Sequence, residues 1–120
     1  MAIDDCKMIS EISKEGEDTK GIRFSVINPS PKTIKYVVAY VTGINRVGDK
    51  CTYQKQCRGI GPITQFESGV FSFDDVFVDR NGIIDDLSVS FRVIYKDGTS
   101  KNVKLNEALR SNGFTEDWWK

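Results

Sequence analysis

The chain has 120 residues, 39% of them hydrophobic, and its 17 basic residues balance 17 acidic ones. These values predict one soluble globular domain, and a formal net charge of zero excludes a general attraction to nucleic acid or to anionic membranes. No stretch of 18 apolar residues occurs, so no membrane-spanning helix is expected.

Two strands are predicted in the first quarter of the chain. Residues 7–14 are compatible with a weak first strand, and a helix is the alternative because Met8, Ile9 and Ile12 also have helical spacing. Residues 22–28 alternate between apolar and polar side chains, which predicts a half-buried strand. The two prolines that follow end this strand, since proline has no N–H to donate.

The longest apolar stretch covers residues 33–49 and predicts a central strand over 34–42. Apolar residues alternate onto both faces of this strand, which indicates that it is covered on two sides. Tyr36 and Val38 are assigned to the face that packs on the core. Gly43 is expected to mark a β-bulge.

The middle of the chain predicts two more strands. Residues 51–58 form a polar strand near a sheet edge. Residues 59–69 are expected to be irregular, because they contain three glycines and Pro62. Residues 70–77 return to a strand, and a polar connection over 79–86 follows.

The clearest alternation in the chain lies in residues 87–95, where one face is apolar and the other carries Arg92 among serines. Asp97-Gly98 comes directly afterwards and predicts a two-residue type I′ hairpin. The hairpin leads to a return strand over 100–105.

Seven short strands with turns between them predict an all-β fold, a two-sheet sandwich of the immunoglobulin-like or fibronectin-III-like kind. One sheet is expected to hold strands near 7–14, 22–28 and 70–77, and the other to hold strands near 34–42, 51–58, 87–95 and 100–105. The predicted core residues are Ile22, Phe24, Tyr36, Val38, Leu87, Val89, Phe91 and Val93.

We expect a single domain over residues 1–120, with its core in about 7–105 and a C-terminal tail at 106–120. One helical turn is predicted within 106–114. Trp118 and Trp119 are expected to pack over an open end of the sandwich, with partner contact and disorder as the alternatives.

Charge is unevenly distributed along the sequence. Residues 1–20 carry a net charge of −3, residues 21–66 carry +6 and residues 67–97 carry −4. We expect strands of opposite charge to be neighbours.

Cys6, Cys51 and Cys57 are too few for a disulfide framework, and their number is odd. The ends of a straight strand over 51–57 would lie about 20 Å apart, whereas the Cα atoms of a disulfide lie within about 7 Å. We expect at most one bridge, and the simpler expectation is none; the pairing is left open.

No catalytic or cofactor signature is present, so we expect no enzyme activity and no cofactor. The chain lacks histidine, which excludes Ser-His-Asp and Cys-His catalysis. Residues 79–82 (DRNG) resemble the middle of an EF-hand loop, but this register puts Phe77 and Ser88 where calcium ligands are required. Residues 59–62 lack the spacing of a phosphate-binding loop, and no metal site is predicted.

Four segments form an ordered set of motifs: residues 28–37 (NPSPKTIKYV), 45–49 (NRVGD), 59–63 (GIGPI) and 93–98 (VIYKDG). This set resembles small bacterial immunoglobulin-like domains of the FxLYD type, over about residues 21–105. The resemblance implies a sandwich fold and a non-enzymatic accessory or adhesion-like module.

The chain departs from that family's pattern in two respects. Members usually follow a signal or lipoprotein segment, and the N-terminal residues here have no basic or apolar region of that kind. The usual Pro-Gly pair is also missing from residues 64–69. We therefore expect an envelope or secreted location if a signal segment precedes this sequence, and a cytoplasmic one otherwise.

The candidate partner-binding residues are Arg46, Lys50, Tyr53, Lys55 and Arg58. They gather four bases around a tyrosine within residues 46–58, a predicted turn followed by a polar strand at or near a sheet edge. Such an edge is either protected by its bases or used to bind an acidic partner, which could be another protein or the acidic residues 74–86 of a second copy.

The leading hypothesis is a non-catalytic protein-interaction module of bacterial origin. A loop-based binder of a small ligand, carbohydrate or calcium is one alternative, and a cytosolic regulatory or inhibitory protein is another. A protein partner is expected, nucleic acid is not, and weak self-association is left open.

Overall fold

The computed structural model describes residues 1–12 and 16–104, and within them it contains seven strands and no helix. The strands are β1 (Ala2–Ile12), β2 (Asp18–Ile27), β3 (Ile34–Ile44), β4 (Lys55–Ile63), β5 (Ser68–Val78), β6 (Asp86–Tyr95) and β7 (Ser100–Lys104). The predicted helical turn at 106–114, Trp118 and Trp119 lie outside the described residues.

The strands form two antiparallel sheets, which we call sheet A and sheet B. Sheet A has the order β1-β2-β5, and sheet B has the order β4-β3-β6-β7. The chain passes from one sheet to the other after β2, β4 and β5. The predicted two-sheet sandwich and its division into three and four strands are confirmed, as is the central place of β3 in its sheet.

The core lies between the two sheets and is centred on Phe24. This ring, fully buried in the middle strand of sheet A, meets Phe91 of sheet B edge to face at 4.9 Å between centroids. Phe71 and Phe73 lie at 5.4 and 6.2 Å from it. Edge-to-face and offset rings are the favoured aromatic geometries, so this cluster both fills and orients the interior.

The face assignment of β3 was wrong. Its pairing with both neighbours shifts register between Ile34 and Tyr36, so that the core is lined by Ile34, Val37, Ala39 and Val41. Tyr36 lies half-buried on the outer face. Val38 is buried, as predicted, but it is not part of the core cluster.

Two strand boundaries also differ from expectation. The first strand begins at Ala2, because it pairs with β2 along its whole length and buries Ile3. The predicted strand at 51–58 begins only at Lys55 and continues to Ile63 through residues expected to be irregular. Pro62 is tolerated because β4 is an edge strand, and on its open side no ladder bond requires an N–H. The Gly61-Pro62 peptide is cis.

The hairpin between β6 and β7 is a three-residue loop and not a two-residue type I′ turn. Gly98 N–H donates to Tyr95 O at 3.0 Å, and Tyr95 N–H donates to Thr99 O at 2.9 Å. Of the loop residues, Gly98 alone has a positive φ, of 89°, whereas type I′ requires it at both central residues. Gly43 stays in the ladder with β6, paired with Leu87. On the other side its N–H donates to Thr52 Oγ1 and not to a ladder carbonyl, so the irregularity lies in the connection before β4.

Asn28 joins three segments at the end of the sandwich where β2 ends. Its side chain is fully buried, and Nδ2 donates to Lys32 O at 2.8 Å and to Ile63 O at 2.9 Å. Its backbone N–H donates to Glu67 O, and its carbonyl accepts from Phe66 N–H. A buried amide with all these bonds fixes the connection after β2 and the loop after β4 in one arrangement.

Replacing Phe91 by alanine should destabilise the fold by about 3–5 kcal/mol, because it removes the ring that contacts Phe24 and leaves a cavity in the core. Chemical denaturation measures the free energy of unfolding. Tyr53→Ala is the control and should change it by less than about 0.5 kcal/mol, since Tyr53 is 92% exposed. A loss below about 1 kcal/mol for Phe91→Ala would contradict the core described here.

Replacing Gly98 by valine should destabilise by about 1–3 kcal/mol, since a β-branched residue resists a positive φ. Gly98→Asn is the matched control and should cost less, because asparagine tolerates that conformation. Thermal unfolding compares the two variants. Equal melting temperatures for valine and glycine at this position would show that the loop adopts another conformation in solution.

Candidate functional site

Charge is divided between the two sheets. The strands of sheet A hold six acids and three bases, whereas those of sheet B hold six bases and one acid. The bases of sheet B are Lys35, Lys55, Arg58, Arg92, Lys101 and Lys104, and its acid is Asp86. The sequence predicted that neighbouring strands carry opposite charge. This holds in sheet A, where Lys20 and Arg23 of β2 lie between two acidic strands. The prediction fails in sheet B, where basic strands are neighbours.

The outer side of sheet B carries a surface that we call the basic face, formed by Tyr36, Tyr40, Arg58, Arg92 and Lys104. Asp86, the one acid of these strands, lies at the start of β6, where it pairs with Ile44 at the end of β3 that is distant from Tyr36. The ladder places Val38 directly between Arg58 on β4 and Arg92 on β6. Both arginines are exposed, while Val38 is only 3% exposed. Long arginine stems cover apolar surface and leave the guanidinium in water, which explains a buried valine on an outer face.

Tyr36 forms the aromatic centre of the basic face. The Arg58 guanidinium lies 4.9 Å from its ring centroid, and Lys35 Nζ lies 5.3 Å from the same centroid. Both are cation–π distances. Arg92 is oriented differently, by a hydrogen bond of 3.0 Å from Nη2 to Ser100 Oγ. The ion pairs found among residues 1–12 and 16–104 involve none of these cations.

A shallow depression of about 290 Å³ adjoins Tyr40 at the other end of the basic face. Its lining includes Gln54, Ser90, Asn102 and Lys104. Hydroxyl, amide and ammonium groups therefore surround one tyrosine, and a bound group with oxygen acceptors could be held there through several hydrogen bonds.

The five residues predicted as one partner site do not all share one surface. Arg58 alone lies on the basic face. Lys55 spans the gap to sheet A, where Nζ donates to Val76 O at 2.7 Å and lies 5.2 Å from the Phe77 centroid. Arg46, Lys50 and Tyr53 belong to the connection before β4, although Tyr53 had been predicted within a strand over 51–58.

Arg92, Lys104, Tyr36 and Tyr40 were missed as site residues. The alternation in residues 87–95 had already placed Arg92 on the polar face. The missing information was strand order: only when β3 lies between β4 and β6 do the two arginines become neighbours across one valine.

Asp79 and two of the three cysteines are buried and have structural surroundings. Asp79 is 4% exposed, and its two oxygens accept from the N–H groups of Ile83 and Ile84 at 2.9 and 3.1 Å. All three cysteines are free thiols. Burial, and then the charge of Asp5, raises the pKa of the Cys6 thiol, and burial also raises that of Cys57, so these thiols are protonated at neutral pH.

Within residues 1–12 and 16–104, no three side chains of the kinds that bind metals lie close enough to hold an ion. No helix in this part of the chain is long and apolar enough to cross a membrane. Comparisons of the chain with protein-family models, with curated proteins and with solved structures found no match.

Calcium and a chelator should each leave the melting temperature unchanged, because Asp79 already uses both oxygens for backbone N–H groups. Thermal unfolding with and without each additive measures this. An increase that grows with calcium concentration, as expected for a ligand of the native state, would reveal a site that the loop residues form only with the ion.

Proposed function

We propose that this protein is a non-catalytic protein-interaction module that binds a carboxylate-rich partner through its basic face. The observation that carries the proposal is the charge of sheet B, whose strands hold six bases and one acid, with Arg58, Arg92 and Lys104 exposed on the outer side. A neutral chain gains no stability from gathering like charges, since they repel one another at close range. Their gathering favours recognition of an acidic surface.

Two features weigh against single-stranded nucleic acid as the partner. The forks of Arg58 and Arg92 match carboxylates and phosphates alike in bidentate geometry, so other features must separate the two ligand classes. Base stacking needs a free aromatic face, whereas two cations already lie close to the Tyr36 ring. The balanced total charge also weakens binding to a polyphosphate backbone.

The strand order also supports a more specific assignment, an immunoglobulin-like or fibronectin-III-like sandwich similar to the FxLYD-type bacterial domains. Three strands face four, and the chain changes sheet three times, as in sandwiches with Greek-key connections. Under this proposal the protein is an accessory or adhesion-like module of a bacterial envelope. Binding functions on such scaffolds belong to exposed faces and loops, with the core serving only to position them.

Reversing two charges on the basic face should weaken binding of a polyglutamate peptide at least about tenfold at low salt. The test variant is Arg58→Glu with Arg92→Glu, and calorimetric titration measures Kd. The matched control is Lys7→Glu with Arg23→Glu, a neighbouring pair on sheet A. It makes the same change in net charge and should have a much smaller effect. Higher salt should reduce the difference between the variants.

An oligothymidylate of the same charge serves as the comparison ligand. Equal losses from the two double variants would show that total charge, and not the basic face, governs binding. Tighter binding of the oligothymidylate than of polyglutamate by the unmodified protein would assign the face to nucleic acid instead.

A further inference from the structure

Phe66, in the loop between β4 and β5, combines exposure with an unfavourable backbone conformation. Its φ is 66°, the only positive value at a non-glycine among the described residues. Its side chain is 77% exposed, so packing does not compensate for the strain. Glycine or asparagine would adopt this conformation more easily. A strained backbone conformation at a residue whose side chain does not pack in the core is a reason to look for a binding role.

The loop that carries Phe66 is held rigidly. Phe66 N–H donates to Asn28 O at 2.6 Å, and Asn28 N–H donates to Glu67 O at 3.0 Å. Glu67 Oε1 accepts from the Thr64 N–H at 2.8 Å and from the Thr64 hydroxyl. These bonds lower the pKa of Glu67 below its ordinary value, so the carboxylate next to Phe66 is charged at neutral pH. A preorganised aromatic side chain loses little entropy on binding.

The opposite end of the sandwich holds an apolar groove. It has a volume of about 390 Å³ and is lined by Asn45, Arg46, Val47, Gly82 and Ile83. The side chains of Val47 and Ile83 are 79% and 48% exposed.

Hydrogen bonds hold both walls of this groove. On one wall, Asn45 Oδ1 accepts from the N–H groups of Val47 and Asp49 at 3.1 and 2.9 Å. On the other wall, Asp79 accepts from Ile83 N–H.

The register of sheet B places the two features at opposite ends of the domain. Ile34 pairs with Ile63, next to the Phe66 loop, whereas Ile44 pairs with Asp86 and bridges to Lys50, next to the groove. One molecule therefore cannot insert its own Phe66 into its own groove. A second molecule, stacked end to end, can.

We propose that copies of this chain associate head to tail, with Phe66 of one copy inserted between Val47 and Ile83 of the next. The charges are complementary, because Glu67 follows Phe66 in the chain and Arg46 lines the groove that would receive it. A lipid surface fits less well, because interfacial binding combines apolar residues with cations, and the charge beside Phe66 is negative. An unlike contact of this kind leaves both outer ends unfilled, so association continues to longer chains.

Sedimentation equilibrium tests the proposal. The contact involves one aromatic anchor, so we expect weak association, with an average mass that rises as concentration approaches about 1 mM. Phe66→Asn removes the anchor and keeps the loop conformation, and Val47→Asp removes part of the groove. Each variant should remain monomeric with an unreduced melting temperature. Ile60→Thr, at a side chain 71% exposed elsewhere, is the control and should associate normally.

A mixture of the two defective variants distinguishes the geometry. Phe66→Asn copies keep an intact groove, and Val47→Asp copies keep an intact Phe66, so the mixture should form one-to-one dimers and nothing larger. A mixture that stays monomeric would overturn the proposal. So would a Val47→Asp variant that associates by itself, which would indicate a symmetric contact, or unmodified protein that stays monomeric at about 1 mM.

Discussion

The edge-to-face contact between Phe24 and Phe91 is the interaction on which the rest of the structure depends, because it joins the middle of one sheet to the other at 4.9 Å. Phe71 and Phe73 surround it from β5, and Gly59 leaves room for the Phe71 ring, which a Cβ at that position would meet. Because this contact holds the two sheets face to face, the outward side chains of each sheet lie on the side away from the other sheet. The two outer faces can therefore differ in charge without affecting the core between them.

This independence explains how a neutral chain carries a strongly basic surface. Arg58, Arg92 and Lys104 lie on three strands of sheet B, and Val38, the buried residue between the two arginines, is apolar and needs no counterion. Exposed like charges repel one another, and water and salt screen much of that repulsion. The arrangement is therefore tolerated by the fold without being required by it. Departures from what stability alone would select are expected at functional surfaces.

Much of the fold could be predicted because alternation of side chains is a local property. Residues 87–95 and 22–28 have one buried and one exposed face in the sequence and in the structure. In β3 the pattern was ambiguous, since both faces are apolar, and the register shift at Lys35 then reversed the expected face. The basic face could not be predicted from spacing, because Arg58 and Arg92 are 34 positions apart and meet only through the order of strands β4, β3 and β6.

The two proposed contacts use different parts of the same domain and do not compete. The basic face covers one side of sheet B, while Phe66 and the apolar groove lie at the two ends of the strands. If copies join end to end, successive basic faces are repeated along the assembly at intervals of one domain length. A partner with several acidic segments would then bind several weak sites at once, and its total affinity would exceed that of any single face. Weak individual contacts are therefore consistent with strong attachment, and the concentration of the protein would control when that attachment begins.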